Sequence, residues 1–92
     1  MDGKLLVMNS KDNVGMVLQD TEVDNQLMMV RDGGEVGNIS VISEIDIYHK
    51  VALQDIQKED EIIKYGELIG VASKDIKKGE HVHVNNIRSV KV

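Results

Sequence analysis

Apolar residues recur along this chain with a period of two, in short runs cut by turn-forming residues, and that pattern predicts strands. Residues 5–8 and 14–18 are two such runs, separated by Asn9-Ser10-Lys11-Asp12-Asn13, whose side chains favour turns. Gln26–Arg31 reads as the next strand, closed by the turn signal Asp32-Gly33-Gly34. Residues 39–42, 62–65, 68–72 and 81–84 continue the series. Gly66 and Gly79 stand where reversals need a positive φ that glycine adopts without a Cβ clash. A short helical turn is expected at most around residues 54–58. The expectation is an all-β, β-rich domain of short bent strands with little helix, occupying residues 1–92 as one unit.

An internal repeat supports bent strands with equivalent corners. Asp55-Ile56-Gln57-Lys58 recurs twenty residues later as Asp75-Ile76-Lys77-Lys78, and Val17-Leu18-Gln19-Asp20 echoes Ala52-Leu53-Gln54-Asp55. A repeated Asp at repeated corners predicts a structural role for Asp55 and Asp75. The copies are too few and irregular for a solenoid.

Composition narrows the function classes. With 92 residues the chain has little interior to spare for a pocket of its own. Only 2% of it is aromatic, Tyr48 and Tyr65, so the core must be aliphatic, with the five methionines expected as filler. A net charge of −5 with no basic cluster argues against nucleic-acid and anionic-membrane partners. Cysteine is absent, which removes disulfides, thiolate nucleophiles and Cys-type zinc sites. No run approaches the roughly 18 apolar residues of a membrane span, and the N-terminus lacks the apolar core of a signal peptide. A cytoplasmic location is the expectation.

Candidate chemistry lies in the three histidines. If 81–84 is a strand, His81, His83 and Asn85 share one face, and Val82 and Val84 anchor the other. Two imidazoles so placed suit one divalent metal, or divide into ligand and general acid/base; the alternative is a solvated polar face. His49-Lys50 pairs a proton-transfer group with a charge anchor suited to a carboxylate, or else is a surface pair. Lys64 and Tyr65 at a strand end are weaker candidates for substrate contact. Asp12-Asn13 reads as an Asx turn more readily than as a ligand pair. Gly33-Gly34 and Gly37 mark a hairpin and not a phosphate loop.

Three motifs in register sharpen this. His49-Lys50-Val51-Ala52-Leu53-Gln54-Asp55-Ile56, Ile63-Lys64-Tyr65-Gly66 with Ile69-Gly70, and Gly79-Glu80-His81-Val82-His83-Val84, with Asp12-Asn13-Val14 upstream, resemble the small N-terminal domain of altronate (hexarate) dehydratases. That domain is of SAF type, with a β-clip fold; as a separate chain it forms the alpha subunit of sulfolactate sulfo-lyase. The resemblance spans roughly residues 5–88. Four positions depart from it: Tyr48 and Glu59 stand where the family has glycine, and Asn9 and Asn85 where it often has histidine.

The resemblance implies a small subunit that does not turn over alone. It would contribute to the β-elimination of water from a sugar acid, with a large dehydratase subunit supplying most of the pocket. His81 and His83 would hold a divalent metal shared with that subunit, Fe(II) or alternatively Mn(II); His49, Lys50 and His83 would be catalytic; Lys64, Tyr65 and Asn85 would contact substrate. One alternative is the alpha subunit of a sulfolactate sulfo-lyase, with sulfite leaving. Another is a non-catalytic binding or assembly module, which the Tyr48, Asn9 and Asn85 departures favour and the three histidines oppose. Self-association is a further option.

Overall fold

A computed structural model describes residues 2–89. The architecture is all-β, with no helix among the described residues. In chain order the strands are β1 (Gly3–Leu6), β2 (Val14–Val17), β3 (Gln26–Arg31), β4 (Gly34–Ser40), β5 (Lys50–Ala52), β6 (Glu61–Lys64), β7 (Glu67–Ala72), β8 (His81–Val82) and β9 (Ile87–Arg88). Six of them form one sheet in the order β4-β3-β1-β2-β5-β8, and β6-β7-β9 form a second. Only β1 and β3 run parallel; the other ladders are antiparallel.

Two hairpins close on two-residue loops, Asp32-Gly33 and Tyr65-Gly66. Both loop residues have positive φ in each case (53° and 79°; 58° and 73°). That is the type I′ geometry whose twist matches the flanking strands. One residue bulges from each hairpin, Val36 and Ile69, because the register slips opposite Met29/Val30 and Ile62/Ile63.

Alternation along β2 and β5 divides the core. Val17 and Val51 face one cluster with Leu5, Leu27, Ile39 and Ile45. Val14 and Ala52 face another with Ile56, Ile62, Ile76 and Val82, under the small sheet. The methionines do not fill these clusters as expected: none among the described residues is fully buried, Met29 only packs against the first, and Met8 is exposed. Stiff β-branched residues fit the pleated interior, and they take those positions.

Four equivalent corners connect the strands, where the sequence suggested three irregular copies. Each is a turn whose fourth N–H donates to the first carbonyl: Asn25 to Glu22, His49 to Asp46, Asp60 to Gln57 and Glu80 to Lys77. The third residue has positive φ each time, Asp24 71°, Tyr48 69°, Glu59 75° and Gly79 88°, the signature of a type II turn. Glycine suits that place best, and only Gly79 supplies it; a Cβ there would also run into the Ser40 carbonyl. Corners pair through reciprocal backbone bonds, Thr21 with Ile45 and Ile56 with Ile76. Asp55 accepts from the Lys78 N–H (2.9 Å) and Asp75 from the Lys58 N–H (2.8 Å), so both aspartates are structural. Residues 54–58, where a helical turn was expected, form the approach to one such corner instead.

Asp12 and Asn13 fasten the β6–β7 hairpin to the larger sheet. Asp12 accepts from the Gly66 N–H at 2.7 Å and the Asn9 N–H at 3.1 Å. Asn13 accepts from the Ile63 N–H and donates to the Glu61 carbonyl, both at 2.8 Å. The pair is turn-forming, as expected, but its main contacts reach about fifty residues along the chain.

Candidate metal centre

His49 ends one corner and His81 opens β8; the ladder between β5 and β8 brings them together by pairing Val51 with His81 and Lys50 with Val82. His49 Nδ1 lies 3.0 Å from His81 Nε2, one ring donating and the other accepting. His83 completes the group: its ring stacks on His49 with centroids 4.7 Å apart, and on His81 at 5.3 Å. All three side chains are half-buried, and their nitrogens lie within 4.8 Å of one another.

His83 does not reach this position as a strand residue. β8 stops at Val82, and Val84, expected in the core, is 77% exposed. The cause is Asn86, a residue the sequence reading passed over. It is buried, its Oδ1 accepts from the His83 N–H (2.8 Å), and its Nδ2 donates to the His81 carbonyl (2.7 Å). Such local side-chain bonds compete with strand extension and curl the chain. The Asn85-Asn86 doublet was the available signal. Asn85 itself is exposed in the resulting turn.

The remaining candidates are not on this face. Lys50 pairs across from Val82, which faces the second core cluster, whereas His81 pairs across from Val51, which faces the first. The register therefore turns Lys50 to the opposite face of the sheet from His49 and His81. Burial, and then repulsion from Lys64, hold the Lys50 pKa below the usual lysine value. Lys64 places its ammonium over the Tyr65 ring, 4.9 Å from the centroid, and Tyr65 is exposed in its hairpin turn. Lys50, Lys64 and Tyr65 thus belong to a second, basic neighbourhood.

The imidazole group suits a cation. Nitrogens about 2.0–2.1 Å from one ion, at angles of about 90–109°, are about 2.8–3.4 Å apart, a range that includes the His49–His81 distance already present. Burial first, then the His49 and His83 rings and, more weakly, the Lys50 ammonium, hold the His81 pKa below the ordinary histidine value, with Asp46 opposing. A lowered pKa keeps the ring neutral near pH 7, the form that ligates. Three protein nitrogens on a half-open surface also leave positions free for another ligand.

The comparisons agree with the resemblance read from the motifs. The family model of the altronate/galactarate dehydratase SAF domain matches residues 3–90. Altronate dehydratase of Bacillus subtilis is 39% identical over 89% of this chain, and that of Escherichia coli 38% over 89%; in each the match covers 16% of the relative. The (2R)-sulfolactate sulfo-lyase subunit alpha of Chromohalobacter salexigens is 33% identical over 91% of this chain and 92% of its own. The same domain is therefore a small fraction of some lyase chains and nearly the whole of a named subunit in another. No helix of the described residues is long and apolar enough to cross a membrane. The chain belongs to the altronate/galactarate dehydratase SAF domain family.

Proposed function

We propose that this chain is the histidine-bearing small part of an altronate-dehydratase-type lyase, acting on a sugar acid together with a large catalytic subunit. The observation that carries this reading is the convergence of His49, His81 and His83, from two distant segments, with nitrogens within 4.8 Å. The reaction removes the C2 proton of the acid and expels the C3 hydroxyl as water; the enol left behind becomes a 2-keto-3-deoxy acid. A divalent metal, Fe(II) or Mn(II), when bound would stabilise the negative charge that develops on the carboxylate side.

His49 and His81 would hold that ion, His81 as the neutral ring of lowered pKa, and His83 would complete the set or stand off it. Standing off the ion, in the turn that Asn86 fixes and next to the exposed Val84, His83 would deliver a proton to the leaving hydroxyl. Lys50 lies on the opposite face of the sheet from His81, so carboxylate anchoring beside the imidazoles falls to the large subunit. A second reading keeps the architecture and changes the leaving group to sulfite; the match over 92% of a sulfo-lyase alpha subunit supports it.

The test is turnover of altronate, galactarate and sulfolactate with Fe(II) or Mn(II), by this chain alone and with a large dehydratase-type subunit. Activity is expected only from the pair, and His83→Ala should lower its kcat by about 10²-fold or more. Turnover by the small chain alone refutes the division of labour. A reconstituted pair indifferent to His83→Ala, His49→Ala and His81→Ala returns the domain to a non-catalytic assembly role.

A further inference from the structure

The four corners are internal controls for one another, and the one that carries His49 is fastened differently. In three of them the fourth side chain reaches back to the first backbone N–H. Asn25 Oδ1 accepts from Glu22 (2.9 Å), Asp60 Oδ2 from Gln57 (3.1 Å) and Glu80 Oε1 from Lys77 (3.0 Å). In the 46–49 corner the fourth residue is His49, whose ring turns to His81. The Asp46 N–H meets no acceptor among the described residues. This corner also sets a tyrosine at the positive-φ position, with the side chain 64% exposed. A missing clasp and a strained residue both loosen a turn.

We infer that the imidazole cluster regulates its own edge: a divalent cation shared by His49, His81 and His83 locks a corner that the chain alone leaves half-fastened, and so orders Ile47 and Tyr48 beside the site. This rests on the metal-binding reading above. The cation would take the place of the clasp. His49 is the only side chain of the corner tied to another element in the cluster, and its backbone is bonded on both sides. Its N–H donates to Asp46 and its carbonyl accepts from the Val17 N–H, while the Tyr48 N–H donates to the Val17 carbonyl. Fixing the ring therefore fixes the link between the corner and β2. Ile47 and Tyr48 are both exposed large apolar groups.

Amide hydrogen exchange on the full chain, with Co(II) binding followed in parallel by its absorption spectrum, tests this. Without metal, the Tyr48, His49 and Val17 amides should exchange faster than the equivalent Glu59, Asp60 and Ala72 amides of a fully fastened corner. With Co(II) at 100 times its Kd they should slow by up to about 100-fold, the limit for an opening that releases the ion. The equivalent amides should hold their rates. Co(II) binding that leaves the 46–49 corner unchanged, or slows all corners alike, overturns the inference and leaves the metal site standing. No Co(II) binding overturns both. His49→Asn, which supplies the clasp seen at Asn25, should protect the Asp46 amide to the level of Glu22 and Gln57 without metal. An Asp46 amide as fast as in the unsubstituted chain would show that the missing clasp is not the cause, and would also overturn the inference.

Discussion

Tyr48→Gly should make the free chain more stable. Tyr48 holds φ at 69° in the third place of its turn, where an L side chain costs about 1–2 kcal/mol relative to glycine. Glycine returns part of that, because its unfolded chain is freer by about 0.4–1 kcal/mol. Little packing is lost, since the ring is 64% exposed. The net expectation is a gain of roughly 0.5–1 kcal/mol, or a Tm about 2–8 °C higher for a domain of this size. Thermal and urea denaturation with an unchanged m value measure it. Glu59→Gly is the built-in comparison: it relieves the same strain at φ 75° but removes the Glu59–Arg88 ion pair, so its gain should be smaller. A Tm unchanged or lowered in Tyr48→Gly would refute the strain argument, and would mean that the ring contributes more through its contacts than the backbone loses.

Asn86→Ala should destabilise the chain by about 1–3 kcal/mol, read by urea denaturation, because it leaves the half-buried His83 N–H and His81 carbonyl without the partner that Asn86 supplies. Stability of the metal-free chain should also depend on His81. Its folded pKa lies below its unfolded value near 6.5, so the unfolded state binds more protons between the two. Stability should therefore be flat above about pH 6.5 and fall as pH drops toward the folded pKa, a slope that Tm measurements in His81→Gln should flatten.

Much of the fold was legible because period-two apolar runs have few other solutions in a proline-free chain this short. Gln26–Arg31 was read to the residue, and the Asp-Gly signal placed its hairpin. β4 was found only at its end: Gly34, Gly37 and exposed Val36 hide the alternation, and the type I′ turn and bulge that organise it depend on the partner strand. β5 and β9 are too short to show a period. The corners share a backbone shape more than a sequence, since Asp24, Tyr48, Glu59 and Gly79 all fill one conformational role. For the site, all three imidazoles were visible as residues. Their meeting depends on a ladder between segments some thirty residues apart, and His83 joins through a turn that strand geometry did not foresee. Lys50 follows His49 directly, yet adjacency in a strand means opposite faces.

The paired corners also describe a fault-tolerant joint. In the Ile56–Ile76 pair every fastening is present: both turn bonds, both clasps (Asp60 and Glu80), and both cross-braces (Asp55 and Asp75). In the Thr21–Ile45 pair each corner has given up a different one. The 46–49 corner lacks its clasp but keeps the Asp20 brace on the Ile47 N–H at 2.9 Å; the 22–25 corner keeps its Asn25 clasp while Glu44 stands where a bracing aspartate would. Because no corner loses both, one side chain can be withdrawn from holding the fold without the joint failing. A domain of this size thereby separates its maintenance from its chemistry, with one pair of corners kept as a rigid frame and the other as the place where substitutions can accumulate into a site.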